Sequence, residues 1–158
     1  MNMTEDQMKC RRSAMQILEF KSRTEQELRQ KLKAKDYSEE QIEDAVEYVK
    51  GFGYINDRRY AETYILNRQQ DKSHTKIMQD LMQKGIDLSI AEEAWEEACD
   101  SERSERDILR EQVQKKLASI DVPDEKQLRR VFAFFMRRGF KYEDIAAVVR
   151  KTVNSSDF

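Results

Sequence analysis

Few side chains in this sequence could carry out catalysis. It contains one histidine, His74, and two cysteines, Cys10 and Cys99, which are isolated and form no C-x-x-C pair. A catalytic triad would have to use His74, which stands beside a predicted helix start, and a metal site built from clustered His and Cys lacks ligands. We therefore predict no catalytic residue, no metal and no cofactor.

Acidic pairs and a glycine pair do not change this prediction. The pair Glu39-Glu40 is one of several, but adjacent side chains on a helix point ~100° apart, so such pairs indicate solvated faces rather than acid/base dyads. Gly51-Phe52-Gly53 begins like a dinucleotide-binding fingerprint. The final glycine of that fingerprint is missing and no strand is predicted before it. The sequence is typical of a protein that is not an enzyme.

Basic side chains remain as candidates for contact with a polyanion or an acidic protein surface. The chain carries 29 Lys and Arg against 31 Asp and Glu, a net charge of −2, unlike a protein that binds nucleic acid through bulk charge. Basic residues nevertheless concentrate in the second helix of each repeat defined below, whereas acidic residues crowd the third helices. Solvated faces with i,i+4 ion pairs are the open alternative. The candidate binding residues, in the second helices and at the start of repeat 2, are Arg23, Arg29, Lys33, Arg58, Arg59, Lys72, Lys76, Lys84, Arg129, Arg130, Arg137 and Arg138.

The composition indicates that helices position these side chains. Charged residues make up 38% of the chain and apolar residues 39%, with four Gly and one Pro. A β-sandwich needs many turns, and turns need Gly, Pro and Asn. The bulk of the chain is Glu, Lys, Arg, Gln, Ala, Leu and Met, which favour helices. We predict an all-α protein.

An internal repeat organises these helices. The apolar pattern at Leu28, Leu32, Ile42, Ala45 and Val46 recurs 49 residues later and again after a further 54. Positions 28 and 32 are one helical turn apart, and positions 42, 45, 46 and 49 follow the i, i+3, i+4, i+7 stripe of an amphipathic helix. Each copy therefore contains a helix, a tight turn and a second helix.

Capping residues mark where these helices begin and end. Asp36, Gly85 and Gly139 occupy one repeat position, between the two helices, and are residue types that tolerate a left-handed C-cap. Thr24 and Ser38 each begin a capping box, with Glu27 and Gln41 three residues later. Further predicted start signals are either Asn56 or Asp57, then Ser73 and Asp124.

Another amphipathic helix precedes each pair, so the chain contains three three-helix repeats. We predict repeat 1 at residues 1–52, repeat 2 at 53–101 and repeat 3 at 102–158. Three-helix units of this size are marginal alone, and tandem copies bury their exposed faces against one another. We expect an elongated stack, its curvature left open, and a monomer. The nine predicted helices span residues 6–20, 24–35, 39–50, 57–69, 74–84, 88–100, 103–118, 124–138 and 142–153.

The chain also lacks the signals of export or membrane insertion. Its N-terminus is polar and acidic, unlike a secretory signal. Its longest apolar run, residues 131–136, is far short of the ~20 residues of a membrane span. The isolated Cys10 and Cys99 suit a reducing compartment, and a disulfide between them is the less favoured alternative. We therefore predict a cytoplasmic protein with no membrane contact.

Residues at the start of repeat 2 carry a resemblance to a known family. Residues 53–62, Gly-Tyr-Ile-Asn-Asp-Arg-Arg-Tyr-Ala-Glu, closely resemble the central motif of the RecX family of recombination regulators, roughly Gly-Tyr-Leu-Asp-Asp-x-Arg-Phe-Ala. Residues 22–28 look like the first-repeat entry of the family, and residues 77–86 look like its second-repeat motif. The match covers residues ~12–98, and repeat 3 matches in pattern only. Asn56 replaces the usual Asp and Tyr60 the usual Phe; Asn still caps a helix and Tyr still packs.

This resemblance implies a non-enzymatic modulator of the RecA recombinase. Members of the family bind RecA–single-stranded DNA filaments, generally in the filament groove. They suppress filament growth and the strand exchange, ATP hydrolysis and coprotease activity that depend on it, which places them in DNA repair, recombination and the SOS response. The implied fold, tandem three-helix repeats, agrees with the repeat found from the residues themselves.

The mode of contact stays open at this point. The protein could bind RecA subunits, or its basic side could contact single-stranded or double-stranded DNA; the net charge of −2 favours protein contact with a local DNA component. The alternative class is a generic helical-repeat adaptor or an RNA- or DNA-binding helix-turn-helix array.

Overall fold

The fold is all-α, as the composition and the repeat predict. The computed structural model describes residues 3–155, and these form nine helices and no strand. The helix bounds differ from the predicted ones by at most two residues. The helices are α1 (Glu5–Phe20), α2 (Glu25–Ala34), α3 (Glu39–Gly51), α4 (Asp57–Arg68), α5 (His74–Gln83), α6 (Leu88–Ala98), α7 (Glu105–Leu117), α8 (Glu125–Arg137) and α9 (Tyr142–Ser155).

Helix starts are fixed by the predicted capping residues. The side chains of Thr24, Ser38 and Asp124 each accept a hydrogen bond from the amide three residues on, and each forms a complete capping box. Asn56 caps α4 by accepting from the Arg59 amide at 3.0 Å. These bonds satisfy amides that a helix N-terminus otherwise leaves without a partner.

The tight turns after α2, α5 and α8 are left-handed, as predicted. Asp36, Gly85 and Gly139 have φ of 66°, 89° and 91°. In the last two turns the amides of Ile86 and Phe140 donate to carbonyls five residues back, at 3.0 and 3.1 Å. This six-to-one bond is the Schellman ending of a helix.

Contacts divide the chain into two compact units. Unit 1 comprises Met1–Tyr64 and Asp80–Ala98, and unit 2 comprises Ile65–Gln79 and Cys99–Phe158. The division runs through α4 and α5, so it does not follow the repeats, whose boundaries stay a prediction. Within the described residues no helix is both long and apolar enough to span a bilayer.

Each unit buries the apolar stripes that the repeat predicts. In unit 1 the core of repeat 1 is formed by α1, α2 and α3 around Leu28 and Leu32, and in unit 2 the core of repeat 3 is formed by α7, α8 and α9 around Phe135 and Ile145. Trp95, which occupies the repeat position of the buried Val46 and Val149, is half-buried.

Both cysteines are free thiols. Cys10 is fully buried in the core of unit 1, and burial, together with the nearby Asp44 carboxylate, raises its pKa to about 11. Burial also raises the pKa of Cys99, which is half-buried. Because the thiolate is the reactive form, raised pKa values make both side chains poor nucleophiles at neutral pH.

In unit 1, three helix ends meet at a contact that we call joint 1: the N-terminus of α2, the C-terminus of α5 and the start of α4. Thr24 is fully buried there, and its hydroxyl donates to the Lys84 carbonyl at 2.6 Å while accepting from the Glu27 amide at 3.2 Å. Asp57 Oδ1 accepts from the Glu25 amide at 3.0 Å. Joint 1 therefore provides hydrogen-bond partners for a carbonyl at the end of α5 and an amide at the start of α2, groups that have no partner within their own helices.

The glycine after α5 allows this approach. A Cβ on Gly85 would lie 1.9 Å from Gln26 Oε1 and 2.4 Å from Gln26 Cβ. The Lys84 ammonium completes the joint, 3.8 Å from a Glu27 carboxylate oxygen and 5.9 Å from the centre of the Tyr60 ring. Joint 1 thus uses a residue without a side chain and a basic residue immediately before it.

Unit 2 contains the corresponding contact, joint 2, between the N-terminus of α5, the C-terminus of α8 and the start of α7. The Ser73 amide donates to the Arg138 carbonyl at 3.0 Å, and the His74 amide donates to Glu105 Oε1 at 2.6 Å. A Cβ on Gly139 would lie 2.1 Å from Ser73 Oγ. The same three positions of successive repeats therefore meet in both joints.

Candidate partner-binding surface

Four of the predicted binding residues are engaged within their own unit. Arg29 pairs with Glu25 and Glu43, the latter at 2.7 Å, and Arg58 pairs with Glu62 and Glu93 at 3.1 and 3.0 Å. Their guanidinium groups tie neighbouring helices together. The other two engaged residues, Lys84 and Arg138, belong to joints 1 and 2.

Arg138 makes the more extensive contacts of these two. Its guanidinium lies 2.8 Å from an Asp71 carboxylate oxygen and stacks 4.4 Å from the centre of the Phe134 ring. The Lys116 ammonium lies 3.9 Å from the centre of the same ring. Both cations therefore pack against the Phe134 ring, and Arg138 has an architectural role.

Pairing also sets the ionisation of the acidic partners. The hydrogen bond from Lys50, together with Arg29, lowers the pKa of Glu25, and the hydrogen bond from Arg29 lowers the pKa of Glu43. The Arg11 guanidinium, 2.8 Å away, lowers the pKa of Asp44. These carboxylates are thus charged at neutral pH and hold their cations in place.

Five of the predicted residues are exposed: Lys33, Arg59, Arg129, Arg130 and Arg137. On α8, Arg130 and Arg137 are seven residues apart and share a face with the exposed Lys126, because such spacings return to the same side of a helix. Arg129 is 3.6 Å from Glu125, a pair so exposed that it holds neither side chain firmly. Residues 126–137 therefore present a basic face, which we call the α8 face.

The other three predicted residues, Arg23, Lys72 and Lys76, are half-buried. Lys72 and Lys76 flank joint 2, and the carbonyl of Lys72 accepts from Arg103. Arg23 lies in the loop between α1 and α2, where its Nε is buried with no hydrogen-bond partner among the described residues. An unsatisfied donor on a charged group is costly unless a ligand completes it.

Arg23 lines a groove of about 260 Å³ in unit 1, formed by the end of α1 and one side of α2. Lys31, Lys35 and the ring of Phe20, which is 85% exposed, line it as well, and none of its lining residues in the described part of the chain is acidic. The groove, which we call the Phe20 groove, combines three cations with an exposed aromatic ring. That combination suits an anionic strand carrying flat rings, with phosphates on the cations and a base on Phe20.

Sequence reasoning found part of this surface and missed the rest. The basic character of α2 and α8 was readable from the sequence, but Phe20 was not singled out because its exposure depends on where α1 ends. Arg103 was also missed: its side chain is 5% exposed and donates to the carbonyls of Gln69 and Lys72 at 2.8 and 2.6 Å. No sequence signal distinguishes this buried arginine from its solvated neighbours.

The described residues offer no group of three or more His, Cys, Asp or Glu side chains that could hold a metal ion. A larger cleft of about 490 Å³ between α7 and α9 is lined by Arg106, Arg110 and Lys151. Arg110 pairs there with Asp107 on its own helix.

Most of the chain is similar in sequence to known proteins. Sequence models described as the first, second and third three-helix domains of RecX match residues 10–48, 56–94 and 104–149. The chain is 32% identical over 151 residues to the regulatory protein RecX of Clostridium perfringens (strain 13 / Type A), covering 94% of this chain and 70% of that protein. It is 33% identical over 135 residues to the regulatory protein RecX of Amycolatopsis mediterranei (strain U-32), covering 84% and 76%.

Solved structures agree on the fold. The crystal structure of RecX from Lactobacillus salivarius superposes with a TM-score of 0.69 at 24% identity, covering 95% of this chain and 98% of that one. A second crystal structure, of a regulatory protein RecX, gives a TM-score of 0.70 over 91% of this chain and 73% of its own. Matches to all three domains, the identity to these relatives and the shared fold lead to one conclusion: the chain belongs to the RecX family of regulatory proteins.

Proposed function

We propose that this protein is a non-enzymatic cytoplasmic regulator that binds RecA–single-stranded DNA filaments and restrains the recombinase, ATPase and coprotease activities of RecA. Membership of the RecX family across all three repeats carries the proposal. It connects the protein to DNA repair, recombination and the SOS response. We propose that it acts as a monomer.

Two surfaces are proposed for this contact. The α8 face offers Lys126, Arg130 and Arg137 to an acidic protein surface or to phosphates. The Phe20 groove offers an aromatic ring beside three cations, which suits single-stranded DNA. Because the net charge is −2, RecA contributes most of the contact and DNA a local part of it.

A RecA ATPase assay on preformed filaments tests the α8 face. We expect Arg129→Glu with Arg130→Glu and Arg137→Glu to raise the concentration needed for half-inhibition on the order of tenfold, because charge complementarity is reversed. Arg138 is left intact, since it holds joint 2. The control reverses the same number of exposed charges elsewhere, at Lys9, Lys115 and Arg150. Equal inhibition by both variants would remove the α8 face from the proposal.

Binding of naked single-stranded DNA tests the Phe20 groove. We expect Phe20→Ala with Lys31→Glu and Lys35→Glu to weaken binding and to flatten its salt dependence, because fewer phosphates are neutralised. An unchanged salt slope would place the DNA contact elsewhere.

Recovery from a cell lysate of ribosomal or transcription complexes without RecA would favour the alternative, a helical-repeat adaptor or nucleic-acid-binding array.

A further inference from the structure

The two joints form a series that could continue beyond the chain. In each joint, the N-terminus of the second helix of one repeat receives the C-terminus of the second helix of the next. Among the described residues this rule leaves two helix ends without a joint: the C-terminus of α2 and the N-terminus of α8. The contact is head-to-tail, and a head-to-tail contact that does not close can add copies indefinitely.

The C-terminal end, at α2, carries a side chain where the joints require none. Asp36 has the same left-handed backbone as Gly85 and Gly139, with φ of 66°, but it is exposed. A Cβ at either glycine would lie 2.1 Å or less from an atom of the preceding repeat. Asp36 already carries such a Cβ, together with a charge, so the end of α2 cannot enter a joint of this geometry.

The N-terminal end, at α8, carries a matching obstacle. Thr24 and Ser73, the N-caps inside the joints, are buried and donate across them through a hydroxyl or an amide. Asp124 is the N-cap of α8, which begins three residues earlier than the repeat offset from Ser73 gives. It is exposed, and its amide donates to Gln127 within its own capping box. An ionised carboxylate accepts hydrogen bonds but donates none, so Asp124 has nothing to offer a neighbouring carbonyl.

We propose that Asp36 and Asp124 are stop residues, which prevent a second copy of this chain from extending the series head-to-tail. A third joint would bring Asp36 of one copy against Asp124 of another, so steric collision and like-charge repulsion both oppose it. Arrays of structural repeats need polar ends to stay soluble, and these two carboxylates supply them. The proposal rests on joint geometry alone and is independent of RecA binding.

Sedimentation velocity over a wide concentration range tests the proposal. The variant Asp36→Gly with Asp124→Ser introduces the left-handed glycine and the hydroxyl N-cap that the chain itself uses in the joints, so it keeps both helix ends. We expect its weight-average mass to rise continuously, reaching at least about twice that of the wild type near about 1 mM, where even weak contacts are populated. The wild-type mass should stay constant over the same range.

A matched variant separates the two obstacles. Asp36→Ala with Asp124→Ser removes both charges but keeps the Cβ, so we expect it to remain monomeric like the wild type. Association of this alanine variant would show that charge removal alone causes aggregation and would overturn the steric argument. A glycine variant that stays monomeric, or one whose mass levels off at a closed dimer, would equally contradict the head-to-tail stop.

Discussion

Joint 1 and joint 2 place the same backbone positions together but bridge them with different groups. In joint 1 the Thr24 amide donates to the Glu27 side chain, so the hydroxyl makes the contact with Lys84. In joint 2 the residue three positions after Ser73 is Lys76, which cannot accept a hydrogen bond. The Ser73 amide is therefore available and donates to Arg138 itself. The residue three positions after the N-cap, Glu27 or Lys76, therefore determines whether the hydroxyl or the amide of the N-cap donates across the joint.

A second difference lies beside the joints. Arg103, two residues before the start of α7, holds the carbonyls of Gln69 and Lys72, whereas Ile55, two residues before α4, is a buried apolar side chain. Unit 1 thus fills this place by burial, and unit 2 fills it with hydrogen bonds. Joint 2 should accordingly be the more sensitive to loss of a polar group.

The largest expected effect is that of a methyl group at the glycine of joint 2. Gly139→Ala should lower the free energy of unfolding by about 3 kcal/mol, because it combines a left-handed backbone with a collision against Ser73 Oγ and Lys76 Cβ. Gly85→Ala should cost a comparable amount, about 2–3 kcal/mol, because its methyl group would meet Gln26 Cβ at 2.4 Å, which rotation of the Gln26 side chain does not relieve. Asp36→Gly, with no joint to disturb, should change stability by less than about 1 kcal/mol. Urea unfolding of the three variants measures the order, and equal losses at 139 and 36 would contradict the joint.

Next in size is the buried arginine of unit 2. Arg103→Ala should cost about 2–4 kcal/mol, because two carbonyls and the Glu105 carboxylate lose their donor. The control, Arg110→Ala, removes an exposed arginine of α7 that pairs with Asp107 on the same helix. It should lower the free energy of unfolding by no more than about 0.5 kcal/mol. Thermal and urea unfolding distinguish the two. Similar small losses would show that burial of Arg103 carries little energy.

The smallest expected effect is the change in stability on neutralising the carboxylate that accepts a backbone hydrogen bond in each joint, Asp57 in joint 1 and Glu105 in joint 2. Burial, with the nearby Glu25 carboxylate, raises the pKa of Asp57 in the folded protein, so folding favours its protonated form. That contribution is fully present below the ordinary pKa of aspartate and is lost as pH rises through the raised value. Asp57→Asn keeps the acceptor oxygen but cannot ionise. The free energy of unfolding of the variant, measured relative to the wild type, should therefore be higher at pH 7 than at about pH 4, by less than about 1 kcal/mol.

Glu105→Gln is the matched change in joint 2, and we expect it to lower the free energy of unfolding at pH 7 rather than to raise it. It breaks the ion pair with Arg103, so the variant should lose stability at pH 7. The measurement is urea unfolding at both pH values. A loss of stability at pH 7 in both variants would mean that the two carboxylates are equivalent after all.

Much of the fold follows from the sequence because its signals are local. The apolar stripes, the capping boxes at Thr24 and Ser38 and the left-handed positions at Asp36, Gly85 and Gly139 depend on residues a few positions apart. The joints are not local: Thr24 and Lys84 are far apart in the chain. The sequence showed a basic residue before each left-handed turn but not that Lys84 and Arg138 are held in joints while Lys35 lines a groove.

The candidate surface was predicted less well for the same reason. Counting basic residues on second helices could not separate Arg29 and Arg58, which face acidic partners on other helices, from Arg130 and Arg137, which face solvent. Asp57 belongs to the motif that resembles the RecX family, yet its oxygen caps α2. Part of that motif therefore records how neighbouring repeats connect rather than what the protein binds.

Helix α5 supplies an end to each joint, with its first residues in joint 2 and its C-terminal turn in joint 1. A helix of ten residues would hardly form alone in water. Because fraying from either end would break the hydrogen bonds of a joint, a partly melted form of this helix should be high in free energy. Its amides should therefore be protected from exchange with solvent by the contacts at both of its ends. The stability of this short helix thus depends on residues far away in the chain on either side of it.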